Sequence, residues 1–192
     1  MPSASLQMWL SDRAVALGEI QAAHASVGGT GRGRRYATQQ INQAYVMLLS
    51  GQFQGFCRDL HTECVDYLVG VASPPVLQGL LRSGFLRERK LDRGNPSPGN
   101  IGEDFNRLGL KFWDTINAYD QRNAQRQRHL ETLNAWRNAI AHQNFDPSKL
   151  GGKTSIQLAE VRQWNTACDG LAQSYDGVMG QHMSGIMGRT PW

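Results

Sequence analysis

An arginine, an asparagine and a histidine stand together in Trp136-Arg137-Asn138-Ala139-Ile140-Ala141-His142, near the end of a segment with helical character. Arginine keeps its charge at any working pH, and its planar guanidinium is shaped to grip phosphate oxygens. Histidine takes or gives a proton near neutrality. On an ideal helix Arg137 and His142 lie about 140° apart in azimuth and about 7.5 Å apart along the axis, whereas Asn138 and His142 share a face. These types point to chemistry at a phosphodiester: Arg137 as phosphate clamp, His142 as base or acid, Asn138 as an orienting hydrogen-bonder. One copy of the trio is thin, since it carries a single proton carrier. Two copies across a two-fold axis would form a composite cleft with two arginines and two histidines. Both charged types are also favoured near a helix C-terminus by the macrodipole, with no catalysis involved.

The elements that must position the trio read as helices. An apolar side built from Leu6, Trp9, Leu10, Val15, Leu17 and Ile20 predicts a helix over Ala4 to Ser26. Four glycines within 28–33 break it and make a loop. That loop is no phosphate-binding P-loop, because no Gly-Lys-Ser/Thr follows and no strand precedes it. A second helix is predicted from about Tyr36 to Val71, with Gly51 and Gly55 marking a kink or a close contact. Ser73-Pro74-Pro75 reads as the start of a short helix ending near Ser83-Gly84, with Ser73 as candidate cap. Further helices are predicted over Ile101 to Tyr119, over Asp120 to Asn144 with the motif, and over Thr154 to about Met183. The tail from Gly185 to Trp192 is expected to be loose. Period-two alternation and hairpin turns are lacking. The expected architecture is all-α, a bundle of five to six helices. It forms one domain over 1–192, with a core of about 35–180 preceded by an N-terminal helix and glycine-rich loop in 1–34.

Composition narrows the setting. The chain of 192 residues is 40% hydrophobic and 19% charged, an ordinary globular balance able to build one core. No run approaches the roughly 18 apolar residues that span a bilayer, and the N-terminus lacks the plan of a signal peptide. Three cysteines give no disulfide framework, so a reducing, cytoplasmic setting is expected. The net charge of +4 permits an anionic partner without requiring one. Its distribution says more: Arg32, Arg34 and Arg35 cluster, as do Arg82, Arg87, Arg89, Lys90 and Arg93. Arg122, Arg126, Arg128 and His129 lie just upstream of the motif, where the three arginines are candidates to track an RNA backbone. Solvated helix surfaces are the plain alternative for each cluster.

The whole stretch Leu133 to His142 resembles the motif helix of the HEPN superfamily, including the polar residue after the arginine and the small-apolar-Ala-His ending. Gly51 to Leu60 and Phe105 to Trp113 are similar to helices of the RiboL-PSP-HEPN group, so the resemblance spans roughly 35–180. It implies an all-α fold, homodimerisation through the motif helices, and cleavage of single-stranded RNA without metal. Arg137, Asn138 and His142 would be the site, and the setting would be a bacterial toxin or antiviral defence with a protein antitoxin or regulator as partner. The alternative it leaves is a non-catalytic HEPN module that binds RNA, a nucleotide or a protein. No cofactor is implied. Family members often add an acidic residue from an earlier helix, and Asp59 and Glu63, four apart on one face, are candidates; a solvated or salt-bridged pair is the competing reading.

Weaker constellations remain. Cys57, His61 and Cys64 line one helix face, but ligand triads from a single helix are uncommon and buried cysteine acts as a small hydrophobe, so no metal is assigned. Trp9, Trp113 and Trp164 read as core. Trp136, adjoining Arg137, could pack in a dimer seam or stack a base.

Overall fold

The computed structural model describes residues 1–27 and 34–192, with side chains outside 28–36. The glycine-rich loop and Arg32, Arg34 and Arg35 therefore lie outside the described residues or side chains. The protein is 78% helical, and no strand occurs among the described residues. The elements are α1 (Ala4–Met8), α2 (Ala14–Val27), α3 (Arg34–Val69), α4 (Pro75–Leu86), α5 (Pro98–Asn106), α6 (Phe112–Tyr119), α7 (Asn123–His142) and α8 (Leu158–Met187). A π-helical turn, Trp9–Arg13, joins α1 to α2 without a break, so the described chain forms seven helical rods.

That is one more than the five to six expected. The segment read as a single helix over 101–119 divides into α5 and α6. Gly109 takes a left-handed φ of 88°, which stops the helix, and the side chain of Asn106 accepts from Phe112 N–H at 2.9 Å to start the next. Ser73 does not cap α4: Pro74 stands in the N-cap position, and its carbonyl accepts from Leu77 N–H. The tail is not loose. Helix α8 runs to Met187, Tyr67 Oη donates to the Arg189 carbonyl at 2.7 Å, and Trp192 packs against the core beside Gly180.

Helix α3 is the axis of the bundle and packs against α2, α7 and α8. Its length follows from helix-forming residues with an apolar residue at nearly every turn. An aromatic cluster of Trp9, Phe53, Phe56, Phe105, Phe112 and Tyr175 ties α3 to the π-turn, α5, α6 and α8. Such rings contribute through area and through edge-to-face geometry. Gly55 lets Arg13 cross α3 closely, since its guanidinium occupies the space a Cβ would need. Gly51 shows no such contact.

Candidate functional site

Leu130, Leu133, Trp136 and Ile140 bury one side of α7 against α3 and α8. The opposite side carries Arg128, Asn138 and His142 into solvent. The helix stops at His142 because Gln143 adopts a left-handed conformation, φ 51° and ψ 36°. Asn144 N–H then reaches the Ala139 carbonyl at 2.9 Å and Gln143 N–H the Ile140 carbonyl at 3.3 Å, the two bonds of a Schellman ending. Phe145 folds back on Trp136, ring centroids 6.4 Å apart. The Asp146 side chain accepts from Ser148 N–H and fixes the turn Pro147–Lys149, and the buried Leu150 anchors it.

These local devices shape a hollow of about 330 Å³ beside the end of α7, lined by Asn138, His142, Asn144 and Lys149 among others. A second hollow of about 410 Å³ shares Ala135, Lys149 and Leu150 with it and continues along α7 toward Glu131. Arg137, half-buried, sits beside Asn138 and donates from Nη1 to its Oδ1 at 3.2 Å. Asn95, on the loop before α5, donates from Nδ2 to that same oxygen at 3.2 Å. The predicted trio thus stands at one exposed helix end: Asn138 and His142 line the hollow with Lys149, and Arg137 lies outside its lining, tied to Asn138.

The loop bearing Asn95 is held from several helices. Gln54 of α3 donates to the Leu91 and Gly94 carbonyls, both at 2.7 Å. Asn134 of α7 donates to the Pro96 carbonyl at 3.0 Å, Trp113 of α6 to Pro98 at 2.7 Å, and Asn100 of α5 to Asn95 at 2.8 Å. Buried Asp104 accepts from Lys90 and Leu91 N–H, each at 2.8 Å, and pins the preceding turn. Asn95, Asn144 and Lys149 escaped the sequence reading. Asn95 meets the motif across 43 positions of chain, and no local pattern signals that contact.

The other candidates fall elsewhere. Asp59 pairs with Arg13, and Glu63 accepts from Ala4 N–H, Ser5 N–H and Ser5 Oγ. Both carboxylates therefore hold the N-terminal helix, and neither bonds to Arg137, Asn138 or His142 among the described residues. Trp136 is 1% exposed and belongs to the core. It borders the larger hollow yet offers no ring face to a base, which corrects its reading as a stacking platform. Arg126 is turned inward: it donates to Asp120 at 2.9 Å and Asn123 at 2.7 Å and packs on Gly170. Arg122 shares the Asp120 carboxylate while staying exposed, and those bonds hold that carboxyl well below the usual carboxylate range. Arg128 is exposed and pairs with no carboxylate among the described residues.

Cys57, Cys64 and Cys168 are buried free thiols, pushed up by desolvation. His61 bonds the Asp104 carbonyl at 3.1 Å and meets Phe105 edge-on. Burial, with Arg89 nearby, pushes it down to about 4. No group of three His, Cys, Asp or Glu among the described residues is arranged to hold a metal ion. No described helix is long and apolar enough to cross a membrane.

The profile of the RiboL-PSP-HEPN family matches residues 16–181, and the chain belongs to that family. HEPN domains are typically RNase-like, and they often bind RNA and dimerise. No curated protein matches the chain, and no solved structure does.

Proposed function

We propose that the protein is a metal-independent endoribonuclease acting on single-stranded RNA, with Arg137, Asn138 and His142 as its catalytic residues. The observation that carries this is that Asn138 and His142 line a solvent-open hollow with Lys149, while Arg137 is tied beside them through its bond to Asn138. Arg137 and Lys149 receive a phosphate, and the guanidinium stabilises the charge that builds on its oxygens. One His142 takes the proton of the ribose 2′-hydroxyl as that oxygen attacks phosphorus. The bond from phosphorus to the 5′-oxygen breaks, and a proton must reach the leaving oxygen. A single chain offers one imidazole here, so the second comes from His142 of another copy across a two-fold dimer through the α7 ends. The products are a 2′,3′-cyclic phosphate and a 5′-hydroxyl. Arg122, just before α7, and Arg128, on it, extend the path for the RNA backbone. A bacterial toxin or antiviral-defence effector, held in check by a protein antitoxin or regulator, is the role this activity fits.

The test is cleavage of defined single-stranded RNA in EDTA, wild type beside His142→Ala, with product ends identified. Wild-type cleavage to cyclic or 3′-phosphate ends, lost by at least about a hundredfold in His142→Ala, is the expected result. Equal cleavage by both proteins would sink the assignment. RNA retarded in a gel but left intact by a folded wild-type dimer would replace it with a binding module.

A further inference from the structure

Helix α4 leaves most of its apolar residues in solvent. Polar side chains tie it down: Gln78 Nε2 donates to the Ala72 carbonyl at 2.7 Å, and the exposed Arg82 pairs with Asp66 of α3. Phe85 and Leu86, at its C-terminal end, make its partly buried contact with the core. Val76, Leu77, Leu80 and Leu81 form one stripe at spacings of one, three and one, and all four are exposed, Val76 by 73% and Leu80 by 67%. No α4 residue is fully buried. Scattered apolar residues on a surface are ordinary, whereas a contiguous stripe marks a contact site.

The surroundings say what covers it. Leu80, Leu81, Gly84, Phe85 and Arg107 line a shallow, open hollow of about 400 Å³, where Gly84 leaves space for an incoming side chain. A facing helix can lay its apolar side chains across such a hollow, as in helix-in-groove recognition. The end of the groove is basic. Arg107 donates to the Arg87 and Glu88 carbonyls, and neither Arg87 nor Arg107 pairs with a carboxylate among the described residues. The helix is about 18 Å long at 1.5 Å per residue, a strip that one facing helix covers along its length.

We propose that α4 is a docking site for an amphipathic helix of a partner protein, whose apolar stripe is bordered by acidic residues. Leucine-sized side chains of the partner enter the hollow, and its carboxylates meet Arg87 and Arg107. The site lies on α4 and is independent of the proposed cleavage chemistry.

The probe is a labelled, idealised amphipathic helical peptide with leucines on one face and glutamates along its flanks, titrated by fluorescence anisotropy against the full chain. A lysine-flanked peptide and phosphatidylserine vesicles are titrated beside it. Expected is binding of the glutamate peptide, weakened about tenfold or more by Leu77→Ser/Leu80→Ser and by Arg107→Glu, and weaker again for the lysine peptide. The leucine variant changes exposed side chains only, so its helix content should match wild type. No binding of the glutamate peptide, or equal binding of both peptides, would overturn the proposal. Preferential binding to vesicles, or a loss of self-association in the leucine variant, would assign the stripe to a membrane or to a second copy instead.

Discussion

Asn138 has one acceptor oxygen, and two neighbours share its two lone pairs. Arg137 can only donate, so the atom it touches at 3.2 Å is the amide oxygen, and Asn95 donates to the same atom. The amide nitrogen of Asn138 is thereby left as an outward donor, and Arg137 is steadied in its reach. Asn95→Ala should lower kcat about tenfold while KM and melting temperature hardly move, which steady-state kinetics beside a thermal scan would check. Asn138→Asp keeps the acceptor and removes the outward donor, so its rate should fall although Arg137 stays tethered. Arg137→Lys should also fall short of the wild-type rate, because a point charge replaces a two-pronged grip. At this scale the trio was legible in the sequence, since spacing and residue type suffice to place it at one helix end. Asn95 was not legible, because the fold alone brings it to the motif. Trp136 misled in the other direction: its neighbour Arg137 suggested exposure, but its own position on α7 points into the core.

The helices meet most closely where glycine removes a side chain. Arg13 lies across Gly55, and Arg126 lies across Gly170. Gly55→Ala should displace the Arg13 guanidinium from Gln52 and Asp59 and cost about 1–3 kcal/mol, measurable by urea denaturation. A smaller loss, within about 0.5 kcal/mol, is expected for Gly51→Ala, which meets open space, and helix propensity even favours it. Helix positions were mostly legible, because apolar spacing and the Pro and Gly breaks are local signals. The split between α5 and α6 was not: Leu108, Leu110 and Phe112 keep an apolar pattern running through it. One left-handed glycine and one asparagine cap outweigh that pattern. The ordered tail was missed for a different reason. Its anchors, Tyr67 and Gly180, lie far from Trp192 and Arg189 in sequence or on another helix turn.

Across the whole molecule, acid should act through His61. Its folded value of about 4 lies below the ordinary value of 6.5, so the unfolded chain binds the extra proton between those limits. Stability is therefore intact above about pH 6.5, falls as the pH drops through the window, and reaches its full loss below about 4. The shift corresponds to a loss on the order of 3 kcal/mol. Denaturant midpoints followed from pH 7 to 4 should show the slope, and His61→Asn should flatten it. The loop that presents Asn95 carries a separate consequence. Because α3, α5, α6 and α7 each hold it by a side chain, it has no freedom to melt by itself. Heating should leave the site assembled until the bundle gives way, so thermal inactivation and loss of helical signal should coincide on one curve.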